Sequence, residues 1–184
     1  NRIWADITSI PKHLQESFIA IEDERFYEHN GIDFKRTLGA VINFLSPNSK
    51  SAYGGSTITQ QLVKNITNEK EATIRRKIQE QYRAIQLEKI LTKQQILENY
   101  LNTIYFGEGA YGVQAAAKTY FDKDVSKLTV AEAACMTATT NLPEFYDPLK
   151  NPENNRKRRE LVLAKMKELG FINQQQYTEA LNEK

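Results

Sequence analysis

Three clusters in this 184-residue chain combine residue types and spacings that suit chemistry. The first is Glu22-Asp23-Glu24-Arg25-Phe26-Tyr27-Glu28-His29-Asn30-Gly31, where an apolar helical repeat gives way to a turn. Successive carboxylates at a helix C-terminus oppose the helix dipole. A carboxylate kept there is a candidate general base. A solvated acidic turn would carry the same letters. The second cluster runs from Gly54-Gly55-Ser56-Thr57 through Gln60, Gln61, Lys64 and Asn65. Two glycines leading into a helix with free N–H groups can cradle an anion. The Gly-Lys-Ser/Thr ending of a Walker loop is absent. Thr57, Gln60, Gln61 and Lys64 recur at i, i+3, i+4 and i+7, so donors and one cation share a face, which suits sugar hydroxyls and a phosphate. An ordinary amphipathic helix gives the same stripe. The third cluster, Arg75-Arg76-Lys77-Ile78-Gln79-Glu80, places a carboxylate one turn from two cations. It reads either as a helical salt bridge worth about 0.3–0.5 kcal/mol or as a carboxylate beside phosphate-binding cations.

The elements that must position these clusters are helical. Leu14, Phe18 and Ile21 predict a helix after Pro11, running to about Glu24. Asp33 can cap the next helix, with Phe34, Leu38, Val41, Ile42 and Leu45 as its stripe. Ser46 to Gly55 reads as a mobile loop. Ser56 or Thr57 opens a third helix with Ile58, Leu62 and Ile66 inward. A long helix from about Glu71 to Leu91 should bury Ile74, Ile78, Tyr82 and Ile85. Thr92 with Gln95 and Thr129 with Glu132 spell capping boxes. Asn151-Pro152-Glu153 starts a helix that Gly170 stops, and Asn173 with Gln176 starts a last one. Ile3–Ile7 is the only weak strand pattern. The fold class is all-α, with seven to nine helices.

Composition narrows the function. One cysteine, Cys135, and two histidines exclude a disulfide framework and a Cys/His zinc site. A net charge of +2 excludes a strongly basic nucleic-acid tail. No apolar run is long enough to span a bilayer. Residues 1–34 hold 3 basic against 7 acidic side chains, whereas 64–93 hold 8 basic against 4 acidic. The sharp reading of that split is a carboxylate site facing a cationic patch, suited to an anionic substrate or leaving group. Ser9-Ile10-Pro11-Lys12 spells S-x-x-K, but no K-T-G accompanies it. The opening Asn in place of Met suggests an excised piece.

Taken in order, Glu-Asp-x-x-Phe-x-x-His-x-Gly at 22–31, Gly-Gly-Ser-Thr-Ile-Thr-Gln-Gln at 54–61, Arg-Lys-x-x-Glu at 76–80 and Ile-Leu-x-x-Tyr-Leu-Asn at 96–102 resemble the peptidoglycan glycosyltransferase domain, glycosyltransferase family 51. That domain occurs in class A penicillin-binding proteins and as monofunctional transglycosylases. Tyr105-Phe106-Gly107 and the Leu-Pro-x-x-Tyr-x-Pro run at 142–148 fit it too.

The resemblance implies a lysozyme-like, two-lobed helical fold with a central cleft. It implies one domain over 1–184, with a mobile membrane-facing jaw at about 34–70 and a helical tail at 151–184 leading towards a following domain. The implied reaction polymerises lipid II into β-1,4-linked glycan strands with inversion and release of polyprenyl pyrophosphate. The catalytic residues it implies are Glu22, as general base, and Glu80, a second carboxylate sometimes linked to a divalent metal (Mg or Mn). No organic cofactor is implied. Substrate contacts fall on Asp23, Phe26, His29, Ser56, Thr57, Gln60, Gln61, Lys64, Asn65, Arg76 and Lys77, with Lys64, Arg76 and Lys77 as the cations for the pyrophosphate. The family's further arginine is replaced by Ala72, near Lys70 and Arg75, and Asp147 stands where the family often has Asn. The implied partners are lipid II, the growing lipid-linked glycan chain and the membrane surface, with a C-terminal transpeptidase where the parent is bifunctional and no nucleic acid. The implied location is the extracytoplasmic face of the bacterial membrane, with an N-terminal membrane helix as anchor. Two alternatives stay open from the residues: a lysozyme-like muramidase or lytic transglycosylase, and a non-enzymatic helical module binding nucleic acid through the 75–93 face.

Overall fold

Short-range capping signals set where most helices begin in the structure, a computed structural model that describes residues 3–45, 55–68 and 73–183, with the side chains of 40–45 left aside. The described residues form α1 (Lys12–Glu22), α2 (Phe34–Leu45), α3 (Ile58–Thr67), α4 (Ile74–Ile90), α5 (Lys93–Thr103), α6 (Val113–Phe121), α7 (Val130–Thr139), α8 (Pro143–Tyr146), α9 (Pro152–Glu168) and α10 (Gln174–Asn182). The count exceeds the expected seven to nine because Pro143 opens a separate single turn, α8. Reciprocal capping bonds form at Thr92/Gln95, Thr129/Glu132 and Asn173/Gln176, where the sequence places them. Ile3–Ile7 forms no strand. Instead the Asn102 side chain bonds both the N–H and the carbonyl of Ala5, each at 2.8 Å. The one strand-like pairing among the described residues is an isolated antiparallel bridge between Tyr105 and Tyr111. No helix of the described residues is long and apolar enough to cross a membrane.

The chain divides into two compact units, residues 1–21 with 101–184, and residues 22–100. The first is organised on α7, whose alanine-rich sequence lets neighbours approach closely. Ala131, Ala134 and Ala138 pack with Val162, Leu163 and Met166 of α9 and with Ile172 and Ala180. Ser17 and Thr137 satisfy each other's buried hydroxyls at 2.6 Å.

The second unit holds all three clusters. Its helices α3 and α4 pack together, and the expected burial of four of their residues needs correction. Ile74, Ile78 and Tyr82 are exposed (83%, 61% and 64%), as is Ile66, although Ile58 and Leu62 are buried as expected. The buried positions of α4 are Glu80 and Ala84. The helix turns inward the face that carries its ionic and close-packing contacts, and leaves the isoleucine stripe outside. α1 stops at Glu22 and not Glu24, because a turn closed by Phe26 N–H to Asp23 carbonyl (2.9 Å) follows at once. The loop expected over Ser46–Gly55 lies, apart from Gly55, outside the described residues, as do Lys70 and Ala72 and the side chains of Val41, Ile42, Phe44 and Leu45.

Asp33 caps α2 by accepting the Arg36 N–H at 3.1 Å, and the Arg25 guanidinium grips its other oxygen at 2.7 and 2.8 Å. Burial pushes the Asp33 carboxyl up, but these donors outweigh it and hold it below the usual carboxylate range. A depressed folded pKa contributes stability that is present above the unfolded value and lost as pH falls through the folded one. Asp33→Asn should therefore lower stability by about 1–2 kcal/mol at neutral pH. In melts across pH, its gap from wild type should shrink below about pH 4.

Gly31 has φ +101°, and a Cβ there would lie 2.8 Å from the Ala84 carbonyl carbon and oxygen and 2.9 Å from Ile85 N. The clash is with α4 backbone, which cannot swing aside. Gly31→Ala should cost about 2–4 kcal/mol, read by denaturant unfolding, from strained φ and overpacking together.

Candidate active site

The site is built around the first turn of α3. An α-helix begins with N–H groups that lack intrahelical partners. Here Thr57 and Gln60 form a capping box: Thr57 Oγ1 accepts Gln60 N–H at 3.1 Å, and Gln60 Oε1 accepts Thr57 N–H at 3.0 Å. The Thr57 hydroxyl donates onward to the Gly31 carbonyl at 2.7 Å. The next N–H, of Ile58, donates to Asp23 Oδ2 at 3.0 Å. A carboxylate at a helix N-terminus is favoured by the dipole. Asp23 Oδ2 also accepts His29 Nε2–H at 2.7 Å. Gly31 N–H donates to His29 Nδ1 at 3.0 Å, so Nδ1 is the acceptor and the ring proton is assigned to Nε2.

Asp23 thereby fixes its neighbour. Glu22, half-buried at the end of α1, accepts Gln61 Nε2–H at 2.8 Å on Oε2. Gln61 Oε1 in turn accepts the Tyr100 hydroxyl at 3.1 Å. Burial, then the charges of Glu22 and Asp23, push the Tyr100 phenol well above its ordinary range, so it stays protonated and donates.

On α4 the buried Glu80 gathers the cations. Arg76 Nη1 lies 2.7 Å from Oε2, Lys77 Nζ bonds Oε1, and Gln60 Nε2 approaches Oε1 at 3.4 Å. Lys77 Nζ also donates to Ser56 Oγ at 2.7 Å. Arg76 Nε is buried without a partner among the described residues. Both Glu80 oxygens are thus held by cations, and no group of three His, Cys, Asp or Glu among the described residues could hold a metal ion. This donor set does not fit a divalent metal, and no step below runs through one.

The structure separates the expected contacts into two groups. Glu22, Ser56, Gln61, Lys64, Asn65, Arg76 and Lys77 reach the surface to differing degrees and can meet a ligand. Asp23, Phe26, Thr57 and Gln60 cannot without rearrangement: each is fully buried. In this structure they support the site from within. Phe26 lies under the Lys93 ammonium, 4.5 Å from the ring centroid, and His29 is an internal donor to Asp23. The sequence assigns no role to Glu88 or Tyr100. Glu88 accepts Thr59 Oγ1 and Lys93 Nζ, both at 2.7 Å, and Tyr100 completes the bond chain to Glu22. The tyrosine of the Ile-Leu-x-x-Tyr run was the one visible signal. A cavity of about 430 Å³ in this unit, lined among others by Arg25, Asp33, Phe34 and Ile85, excludes Glu22 and Lys77 and is not the site of this chemistry.

The arrangement can take a proton at Glu22 and hold an anion at Arg76 and Lys77 through charge-assisted hydrogen bonds. Asp23→Asn removes the buried charge; its amide oxygen can keep both donors, which share Oδ2, but its NH2 then stands unpartnered at the buried Oδ1 position. It should destabilise the protein by about 1–3 kcal/mol in thermal melts.

The transglycosylase family matches residues 1–167. The chain is 48% identical to penicillin-binding protein 1A/1B of Bacillus subtilis, over 97% of this chain and 20% of that protein. It is 44% identical to penicillin-binding protein 1A of Aquifex aeolicus, over 98% of this chain and 25% of the relative. The chain thus spans a fifth to a quarter of the length of these curated relatives. A crystal structure of penicillin-binding protein 1A from Haemophilus influenzae aligns with a TM-score of 0.60 and 24% identity, over 100% of this chain and 18% of the other, and shows the shared lysozyme-like fold. With the family match covering most of its length, the chain belongs to the transglycosylase family of enzymes.

Proposed function

We propose that this domain polymerises lipid II by direct displacement. The donor is a glycan chain on polyprenyl pyrophosphate and the acceptor is the 4-hydroxyl of lipid II. Glu22 takes the hydroxyl proton as the oxygen attacks the anomeric carbon, giving a β-1,4 bond with inversion. The bond to the pyrophosphate oxygen breaks, and Lys64, Arg76 and Lys77 stabilise the charge that develops there. Ser56 orients Lys77 and Glu80 fixes the spacing of the two α4 cations.

One observation carries this reading: adjacent residues of one helical turn, Gln60 and Gln61, bond the cation-holding Glu80 and the candidate base Glu22 respectively. A muramidase would have no pyrophosphate for the cations to meet. The exposed Phe34, Leu38, Ile74, Ile78 and Tyr82 support action at a membrane surface, where a lipid-linked substrate resides. The extracytoplasmic face of the bacterial membrane is the proposed location. A transpeptidase elsewhere in the parent chain fits the greater length of the relatives.

Incubation with labelled lipid II tests the proposal. Wild type should yield long glycan strands, and Glu22→Gln should lower the rate by about 10²–10⁴ without lowering the melting temperature. A Gln variant that polymerises at near wild-type rate would overturn the assignment of the base.

A further inference from the structure

We propose that Tyr100 is a positioning residue for Glu22, acting through Gln61. This rests on reading Glu22 as the base. A glutamine side chain has a donor end and an acceptor end that fit nearly the same space, so its orientation is decided by its neighbours. With its N–H side towards Glu22, Gln61 favours a carboxylate; flipped, it would set its own oxygen against that carboxylate. Tyr100 breaks the degeneracy. Its hydroxyl donates to Gln61 Oε1 at 3.1 Å, which leaves Nε2–H to donate to Glu22 Oε2 at 2.8 Å. Tyr100 is 2% exposed, so water does not compete freely for that proton. Burial, and then the charges of Glu22 and Asp23, keep the phenol protonated and therefore a donor. The relay thus turns an N–H towards Glu22 and holds its carboxyl in one direction.

The other ionisable groups of the elements around the relay are already committed or lie further along their helices. Asp23 accepts from His29 and Ile58 N–H. Glu88 takes Lys93 and Thr59, and Glu80 takes Arg76 and Lys77. Lys64 is one turn along α3 from Gln61. A change at Tyr100 therefore reaches Glu22 by way of Gln61.

Tyr100→Phe deletes the hydroxyl and keeps the ring. In lipid II polymerisation it should lower kcat about tenfold with KM little changed, the loss expected for a hydrogen bond that acts on a charged group. The acid limb of the pH–rate profile should move to higher pH, because the donor that favours the carboxylate is no longer locked in place. Gln61→Met should produce the same shift, and the Tyr100→Phe/Gln61→Met double variant should be no worse than Gln61→Met alone, since the two act through one bond chain. An unmoved acid limb, or additive losses in the double variant, would overturn the relay and reduce Tyr100 to packing. Glu22→Gln run in parallel separates the two readings. If it is inactive and Tyr100→Phe leaves the limb in place, only the relay fails. If it stays active, the base assignment fails and the relay's catalytic role with it.

Discussion

A single buried carboxylate, Asp23, decides the geometry of the unit over residues 22–100. It is fully buried, and it accepts the Ile58 N–H at the head of α3 and the His29 Nε2–H on one oxygen, while Oδ1 has no partner among the described residues. Removing a carboxylate from water is expensive, and two donors plus a helix dipole offset that only in part. What the arrangement secures is position. The end of α1 is tied to the start of α3, and Thr57 and Gly31 then close the same junction from the other side. Because Gly31 lies against the Ala84 backbone, α4 is drawn into register with that junction. Glu22 follows Asp23 in direction as it precedes it in sequence.

Glu80 applies the same device to the cations. An exposed lysine or arginine samples many rotamers and binds an anion only after losing that freedom. Arg76 and Lys77 have surrendered it in advance, to a carboxylate with 4% of its side chain exposed and, for Lys77, to Ser56. The pairs add little to stability once desolvation is counted. They do leave two positive groups preset in direction, with donor capacity to spare on Lys77, which is 37% exposed.

What was legible in the sequence was whatever is decided within a few residues. The capping boxes at Thr92, Thr129 and Asn173 form as spelled because each needs only its own first turn. The motif at 22–31 is visible as unusual chemistry, with Glu22 as the expected base and Asp23, Phe26 and His29 as expected substrate contacts. Which carboxylate turns outward depends on α3, some 35 residues away. The α4 stripe was misplaced for a related reason: periodicity reports an amphipathic face without saying which side a partner covers. Ile74, Ile78 and Tyr82 would have won if burial of apolar area alone decided. The inward side is instead set by Glu80 with its cations and by Ala84, small enough for the Gly31 backbone to approach. Tyr100 was visible only as a letter of the Ile-Leu-x-x-Tyr run, since its bond is to a glutamine 39 residues distant.

The paired glutamines explain how one short segment serves two kinds of chemistry. Successive helical residues point about 100° apart. Gln60 therefore turns into the unit, closing the cap of α3 and touching Glu80, while Gln61 turns towards Glu22 and Tyr100. An amide suits both places because it donates and accepts without carrying charge. A carboxylate at 60 would repel Glu80, and a cation at 61 would pair with Glu22 outright and compete with the hydroxyl proton that a base must receive. Glu22 and the Glu80-held cations are thus tied to the same turn but kept apart, so an acidic and a basic cluster can stand on neighbouring helices without collapsing into salt bridges between them.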